Sequence, residues 1–260
     1  MLLRSENRLF QGKRESAWID AITYGDNPDQ TDQWRSFGPD GARLLARALR
    51  EGNRPTQRFY RSGYRWLAPK LPARLSRRLP RPANTTSIRM RAAMLLSRLD
   101  SDMRIVKPAF VDALKDESPG VQMIVLSWFG DHLEQMGAAE KRRLLPHFIA
   151  AMRAGHWGMR NNAAIALKHY PDQAEKVVPV LVKGLQDPIA KVRLLSAEAL
   201  HHIDPDAAAT NGAVSVVVKV LETPDDQVAW RAAQLPTDQH RDKVAEWLDM
   251  LLESVKRPES

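Results

Sequence analysis

Residues 178–203 read VPVLVKGLQDPIAKVRLLSAEALHHI, and this stretch decides the fold. Its first half carries an apolar stripe with the spacing i, i+3, i+4 and i+7, formed by Val178, Leu181, Val182 and Leu185. This spacing predicts a helix with one apolar face. After a short polar turn, a second stripe with helical spacing runs from Val192 to Ile203. Two amphipathic helices joined by a short turn predict an α-helical hairpin.

The same two stripes recur along the chain at fixed offsets. The first-helix stripe over residues 88–99 returns 33, 71 and 104 residues later, with polar substitutions only at His132 and Ser196. The second-helix stripe returns around Phe110, Phe148 and Val217. A hairpin of this kind buries its apolar face by stacking on its neighbours. We therefore predict an all-α fold, a right-handed α-solenoid of antiparallel helical hairpins.

Three prolines stand at one register of the second helices, at Pro108, Pro146 and Pro179. The stripes place each of them one residue into its helix. Proline costs little there, because the first-turn N–H groups of a helix have no intrahelical partner.

Several short motifs accompany the repeat. The first helix carries a Val-Arg pair followed by alanines, and the second helix opens with Val-Pro and ends with Leu-x-Asp; the residues are Val192, Arg193, Ala197, Ala199, Val178, Pro179, Leu185, Asp187, Leu114 and Asp116. With these motifs the chain resembles the HEAT-repeat family, including the bacterial PBS-lyase-type repeats, over about residues 86–254. The resemblance implies a HEAT-like superhelix, and it identifies a fold better than a function.

The repeat register divides the chain into four parts. Residues 1–27 form an N-terminal segment with one helix, and residues 28–51 form a first, shortened hairpin. Residues 52–85 form an insertion rich in basic, proline and aromatic residues. Residues 86–257 form the HEAT-like array of about five hairpins, in which Pro236 shortens the last first helix.

The positive charge of the chain is concentrated in one segment. The 260 residues contain 39 Lys and Arg against 31 Asp and Glu, a formal charge of +8. Between Gly52 and Leu99 there are twelve basic residues and no acidic one. A concentrated basic segment favours an acidic partner such as nucleic acid, anionic lipid or an acidic protein surface.

The basic insertion is our candidate electrostatic docking segment. Its cations are Arg54, Arg58, Arg61, Arg65, Lys70, Arg74, Arg77, Arg78 and Arg81. Residues 57–67 can form a helix with Tyr60, Tyr64 and Leu67 on one face and arginines on another, namely Arg58, Arg61 and Arg65. Two interpretations stay open: the aromatic face packs on the array while the arginines stay in water or pair with acids, or the arginines dock phosphate or an acidic protein.

A structural ladder is expected from the resemblance, in which the Asp that ends a second helix pairs with the Arg that opens the next first helix. Asp187 and Arg193 preserve both members, whereas Asp116 faces Gln122. Arg89 and Arg160 occupy the same register as Arg193 but lack the preceding acid. We assign all four charged residues, Asp187, Arg193, Arg160 and Arg89, to structural support.

No catalytic, cofactor-binding or metal site is predicted. The chain has no Cys, no H-E-x-x-H, no G-x-S-x-G and no P-loop motif. Asp131, His169 and His202 share one register in successive repeats, but neighbouring repeats lie about 10 Å apart, too far for easy shared ligation. Residues 128–131 and 157–160 weakly resemble the signatures of alkylpurine DNA glycosylases, which are catalytic HEAT-like solenoids.

The sequence therefore predicts a non-catalytic HEAT scaffold that binds another protein. The alternative is a nucleic-acid-binding solenoid that uses the basic insertion, with a glycosylase as its least favoured variant. Contacts are expected at exposed positions of the second helices: His147, Arg153, Lys183, Gln186, Lys219 and Glu222. No apolar run reaches the ~20 residues of a spanning helix, and we expect a cytoplasmic monomer without a signal peptide.

Overall fold

The computed structural model describes residues 8–23, 27–51, 55–72, 75, 85–99 and 103–222. The predicted last hairpin, beyond residue 222, lies outside the described residues. So do docking residues Arg54, Arg74, Arg77, Arg78 and Arg81. No helix of the described residues is long and apolar enough to cross a membrane.

The described chain contains thirteen α-helices and one short β-hairpin. The elements are β1 Leu9–Phe10, β2 Lys13–Arg14, α1 Glu15–Asp20, α2 Pro28–Ser36, α3 Gly38–Glu51, α4 Pro55–Leu67, α5 Thr86–Arg98, α6 Met103–Ala113, α7 Pro119–His132, α8 Ala138–Ala151, α9 Trp157–Leu167, α10 Ala174–Gly184, α11 Ala190–Ile203, α12 Pro205–Thr210 and α13 Ala213–Glu222. This architecture confirms the predicted all-α, HEAT-like solenoid fold.

The core follows the repeated stripes. Phe110, Phe148, Leu181 and Val217 occupy one equivalent position in successive second helices, and each is fully buried. In the first helices, Leu96, Phe129, Leu167 and Leu200 also share one register and are buried. Burial at the same register is expected when each hairpin packs the same apolar face against its neighbours.

The chain divides into two compact units, residues 1–125 and residues 126–260. In the first unit, α3 packs against α5 and α6, and α1 packs against α5. In the second unit, α9 packs against α8 and α11, while α11 also contacts α10 and α13. Within each unit, contacts therefore join helices of the same or adjacent hairpins.

The N-terminal segment contains the β-hairpin, which the sequence did not predict, in addition to the expected helix. β1 and β2 pair antiparallel around Gln11 and Gly12, both in the left-handed region of the backbone with φ of 47° and 74°. Trp18 donates a hydrogen bond from Nε1 to the Phe10 carbonyl at 2.8 Å. The ring of Trp18 also meets Trp34 edge to face, which anchors the segment to α2.

The prediction that the prolines lie one residue into their helices is wrong. α6 begins at Met103, α8 at Ala138 and α10 at Ala174, so each proline lies inside its helix. An interior proline removes one i→i−4 hydrogen bond. Each predicted stripe begins at the residue before its proline, but Val106, Leu144 and Val177 are buried one position earlier in the same helices. In α8 the first turns are stabilised from outside, because the Tyr170 hydroxyl donates to the Lys141 carbonyl at 3.1 Å.

Candidate interaction surfaces

The buried ion pair of Arg89 and Asp116 joins the start of α5 to the end of the same hairpin. Arg89 donates from Nε to Oδ2 of Asp116 at 2.8 Å and from Nη2 to Oδ1 at 3.1 Å. Both side chains are fully buried. Asp116 also accepts from the Ser118 backbone N–H at 2.8 Å, so the carboxylate fixes the turn that leads into α7.

An equivalent ion pair joins Arg160 and Asp187 in the second unit. Arg160 donates from Nε and Nη2 to the Asp187 carboxylate at 2.6 and 3.0 Å, and Asp187 accepts from the Ile189 N–H at 2.9 Å. In both pairs the arginine precedes the aspartate by 27 residues. The pairing therefore runs within one hairpin, from the first turn of its first helix to the end of its second helix.

The expected pairing of the Asp187 carboxylate with Arg193 is replaced by a different contact. Arg193 donates from Nη1 to the backbone carbonyl of Asp187 at 2.9 Å. Gln122 makes the same contact two repeats earlier, from Nε2 to the Asp116 carbonyl at 2.6 Å. The carboxylate is already engaged by the arginine 27 residues before it, so the following side chain binds the carbonyl that ends the second helix.

A groove lies on the face formed by α8 and the start of α10. Its volume is about 370 Å³, and it is lined by Arg142, Leu145, Pro146, Ile149, Ala150, Arg153, Gln173 and Lys176. The α8 residues are spaced three or four apart, so they form one face of the helix. Leu145 is buried and Ile149 is half-buried, whereas Pro146 and Ala150 are exposed. The groove therefore has an apolar floor open to solvent.

Three cations surround this floor, and no acidic residue lines it. Arg142 lies in the first half of α8 and Arg153 in the turn that follows the helix, so the two arginines lie at opposite ends of the floor. Both are exposed, and neither forms an ion pair with another described residue. Lys176 donates from Nζ to the side-chain oxygen of Gln173 at 3.1 Å and keeps its charge unneutralised. An apolar strip between unpaired cations suits an acidic amphipathic segment.

The sequence pattern indicated only part of this groove. Arg153 was among the expected contact positions, but Arg142 and Lys176 were missed. Arg142 shares one face of α8 with Pro146 and Ile149, and this helical spacing was an available signal. Lys176 could not be assigned in this way, because it comes from a different hairpin.

The basic insertion is described only in part. α4 extends into a 3₁₀ turn, Ala68–Lys70. Arg58 and Arg61 lie on α4, but their side chains are outside the described residues. Arg65 is exposed and approaches Glu117 with Nη2 at 3.4 Å from Oε2. Of the predicted docking cations, the structure thus describes the side chains of Arg65 and Lys70.

The aromatic residues of α4 separate into two sets. Tyr60 and Tyr64 are half-buried with ring centroids 6.3 Å apart. Phe59 and Trp66 are instead 81% and 66% exposed, and Lys70 places its ammonium 3.7 Å from the Trp66 ring centroid. Of the face that was expected to pack on the array, Tyr60 and Tyr64 are half-buried, whereas Leu67 is exposed.

The described residues contain no group of three or more His, Cys, Asp or Glu side chains that could hold a metal ion. His169 lies with Nδ1 3.6 Å from Oε1 of Glu134. Burial lowers the pKa of His169, and the positive charge of Lys168 lowers it further. Burial raises the pKa of Asp131, an effect that the neighbouring His132 opposes.

The residues that resemble glycosylase signatures have structural contacts. Trp128 is buried, and its ring stacks on His132 with the centroids 4.3 Å apart. Arg160 donates from Nη1 to the carbonyls of Ala154 and Gly155 besides its pair with Asp187. Core packing and the ladder thus account for both positions.

Comparison with known proteins gives one family. A family model described as HEAT repeats matches residues 145–236, which include the second half of α8 and all of α9 to α13. No curated protein matches the chain.

Proposed function

We propose that this chain, which belongs to the HEAT-repeat family, is a non-catalytic scaffold that binds an acidic segment of a partner protein in the groove of α8 and α10. HEAT repeats are commonly scaffolds for protein interaction and are generally non-catalytic. Solenoid repeats present extended surfaces built from several hairpins, which suits recognition of another macromolecule.

The unpaired arginines on both sides of an apolar floor carry the proposal. Leu145, Pro146 and Ile149 offer aliphatic surface that a leucine or an aromatic residue of the partner can cover. Arg142 and Arg153 then meet carboxylates on either side of this anchor. Opposite charges at the rim favour fast association and select against basic partners.

The groove proposal predicts a charge requirement that peptides can measure. The probe is a fluorescently labelled peptide with central leucines flanked by glutamates, and its match carries lysines in place of the glutamates. We expect the acidic peptide to raise fluorescence anisotropy with the wild-type protein and the basic peptide to leave it unchanged. Binding should weaken as salt increases, because exposed charges are screened.

Two variants test whether the acidic peptide binds in the groove. Arg142→Glu/Arg153→Glu should weaken the binding of the acidic peptide by about tenfold or more. Arg143→Glu is the matched control, because Arg143 is exposed on α8 but does not line the groove. Equal loss in both variants, or no discrimination between the acidic and basic peptides, would contradict the proposal.

A further inference from the structure

We propose that the segment from Phe59 to Lys70 docks on an anionic lipid surface. The segment belongs to the first unit and the groove to the second, and the proposal is independent of the function proposed for the groove. Three large apolar side chains are exposed within the segment, Phe59, Trp66 and Leu67, and Leu75 is exposed five residues after it. Elsewhere among the described residues, only Leu9 and Val111 are large, apolar and similarly exposed. Such a cluster marks an interaction site more often than scattered single residues do.

The geometry of α4 presents this cluster outward. Phe59 and Trp66 are seven residues apart, which is two helical turns, so they lie on one side of the helix. Tyr60 and Tyr64 lie on an adjacent side and are half-buried. The helix therefore has one aromatic side that is half-buried and another that faces solvent.

Basic residues accompany the exposed aromatic side. Arg65 and Lys70 are both exposed, and the sequence from Gly52 to Leu99 contains no acidic residue. A helix with Phe, Trp and Leu on one side and Lys or Arg on the other typically lies in the plane of a membrane interface. Cations near the surface add electrostatic attraction to anionic headgroups.

The observations favour lipid over nucleic acid. Leu67 and Leu75 are aliphatic and cannot stack on bases, but they can enter the acyl boundary. Lys70 covers one face of the Trp66 ring, which removes a stacking platform that a base would need. Trp beside a cation is also the combination found at the headgroup level of membranes. α4 has 13 residues, so it can lie on a bilayer and is too short to span one.

Vesicle sedimentation with the full chain tests the proposal. The probes are vesicles of phosphatidylcholine alone and vesicles of phosphatidylcholine mixed with phosphatidylserine. We expect sedimentation with the anionic vesicles only, decreasing as salt is raised. Phe59→Ser/Trp66→Ser should weaken this binding by about tenfold or more, and Arg65→Gln/Lys70→Gln should weaken it and reduce its dependence on salt.

Val111→Ser is the matched control, because Val111 is exposed on α6 outside the segment. It should bind anionic vesicles as the wild type does. Circular dichroism of each variant verifies the fold, which exposed substitutions should preserve. Absence of binding to anionic vesicles, or equal binding by the Phe59→Ser/Trp66→Ser variant, would overturn the proposal.

A second measurement places Trp66 itself. Brominated lipid in the anionic vesicles should quench part of the wild-type tryptophan fluorescence, and Trp66→Phe, which keeps an aromatic ring, should lose that quenching while still sedimenting. Unchanged quenching in Trp66→Phe would overturn the proposal. Binding of single-stranded DNA that depends on Phe59 and Trp66, without vesicle binding, would assign the surface to nucleic acid instead.

Discussion

Arg89 donates two hydrogen bonds to the carboxylate of Asp116, which follows it by 27 residues, and neither side chain is exposed to solvent. The pair connects the first turn of α5 to the turn before α7. Arg160 and Asp187 repeat it with the same separation in sequence. Each pair links the first helix of a hairpin to the turn after its second helix, so the arginines at this register stabilise the repeat.

Removing one member of the buried pair should be costly. Arg89→Met leaves the Asp116 carboxylate buried without its counterion, and we expect a loss of about 3–5 kcal/mol in the free energy of unfolding. Urea denaturation followed by circular dichroism measures it. Arg89→Met/Asp116→Leu should recover much of the loss, because no charge is then buried. A single variant as stable as the wild type would contradict this role.

The hydrogen bond from Gln122 to the Asp116 carbonyl should contribute less to the free energy of unfolding than the Arg89–Asp116 ion pair does. Gln122→Leu removes the hydrogen bond to the Asp116 carbonyl and should cost about 1 kcal/mol. Gln122→Arg should preserve stability, because Arg193 makes the equivalent contact at Asp187. Thermal unfolding compares the three proteins. If Gln122→Arg proves as unstable as Gln122→Leu, the two positions are not equivalent.

A close approach of α10 and α11 depends on Gly184. A Cβ at this position would lie 2.8 Å from Cβ of Ser196 and nearer still to its hydroxyl. We expect Gly184→Ala to cost about 1–3 kcal/mol by overpacking, and to cost much less in a Ser196→Gly background. Gly155→Ala is the control, because its added Cβ meets nothing within 4 Å. Equal costs in both backgrounds would exclude the clash with Ser196 as the cause and leave the contact with Met152 Cε, 2.9 Å from the added Cβ.

Acid should destabilise the second unit through two histidines. Burial lowers the pKa of His169 and of His201, and nearby His202 lowers both further. The unfolded chain then binds more protons than the folded one, so this stability is complete above pH ~6.5 and is lost as the pH falls below it. Glu134 opposes the shift at His169.

Urea denaturation between about pH 7.5 and about pH 5.5 measures this dependence. His169→Gln/His201→Gln should lose less stability on acidification than the wild type. A double variant with an unchanged slope would show that other groups govern the response to acid.

The repeat was predictable because its signal is local. Spacing such as that of Val178 and Leu181 identifies a helix, and the recurrence of the stripe identifies the stacking register. The Arg89–Asp116 pair was missed because its members are 27 residues apart, and the nearer Asp187 and Arg193 suggested another pairing. Helix starts were misplaced around the prolines, because the stripes were read from the residue before each proline although Val106 and Val177 are buried one position earlier.

The interaction surfaces were predictable only in part. The basic insertion is visible as charge composition, yet the exposure of Phe59 and Trp66 depends on which side of α4 packs. The groove combines Arg142 and Arg153 of one hairpin with Lys176 of the next. The apolar stripe of a single helix does not show which residues of another hairpin lie beside it.

The central claim is that the groove of α8 and α10 recognises an acidic partner protein. Its most direct test is affinity capture from the cells that produce the chain, with wild type, Arg142→Glu/Arg153→Glu and Arg143→Glu compared by quantitative mass spectrometry. We predict a protein with an acidic segment that wild type and Arg143→Glu retain and the double variant loses. Retention of the same proteins at the same levels by all three would contradict the claim.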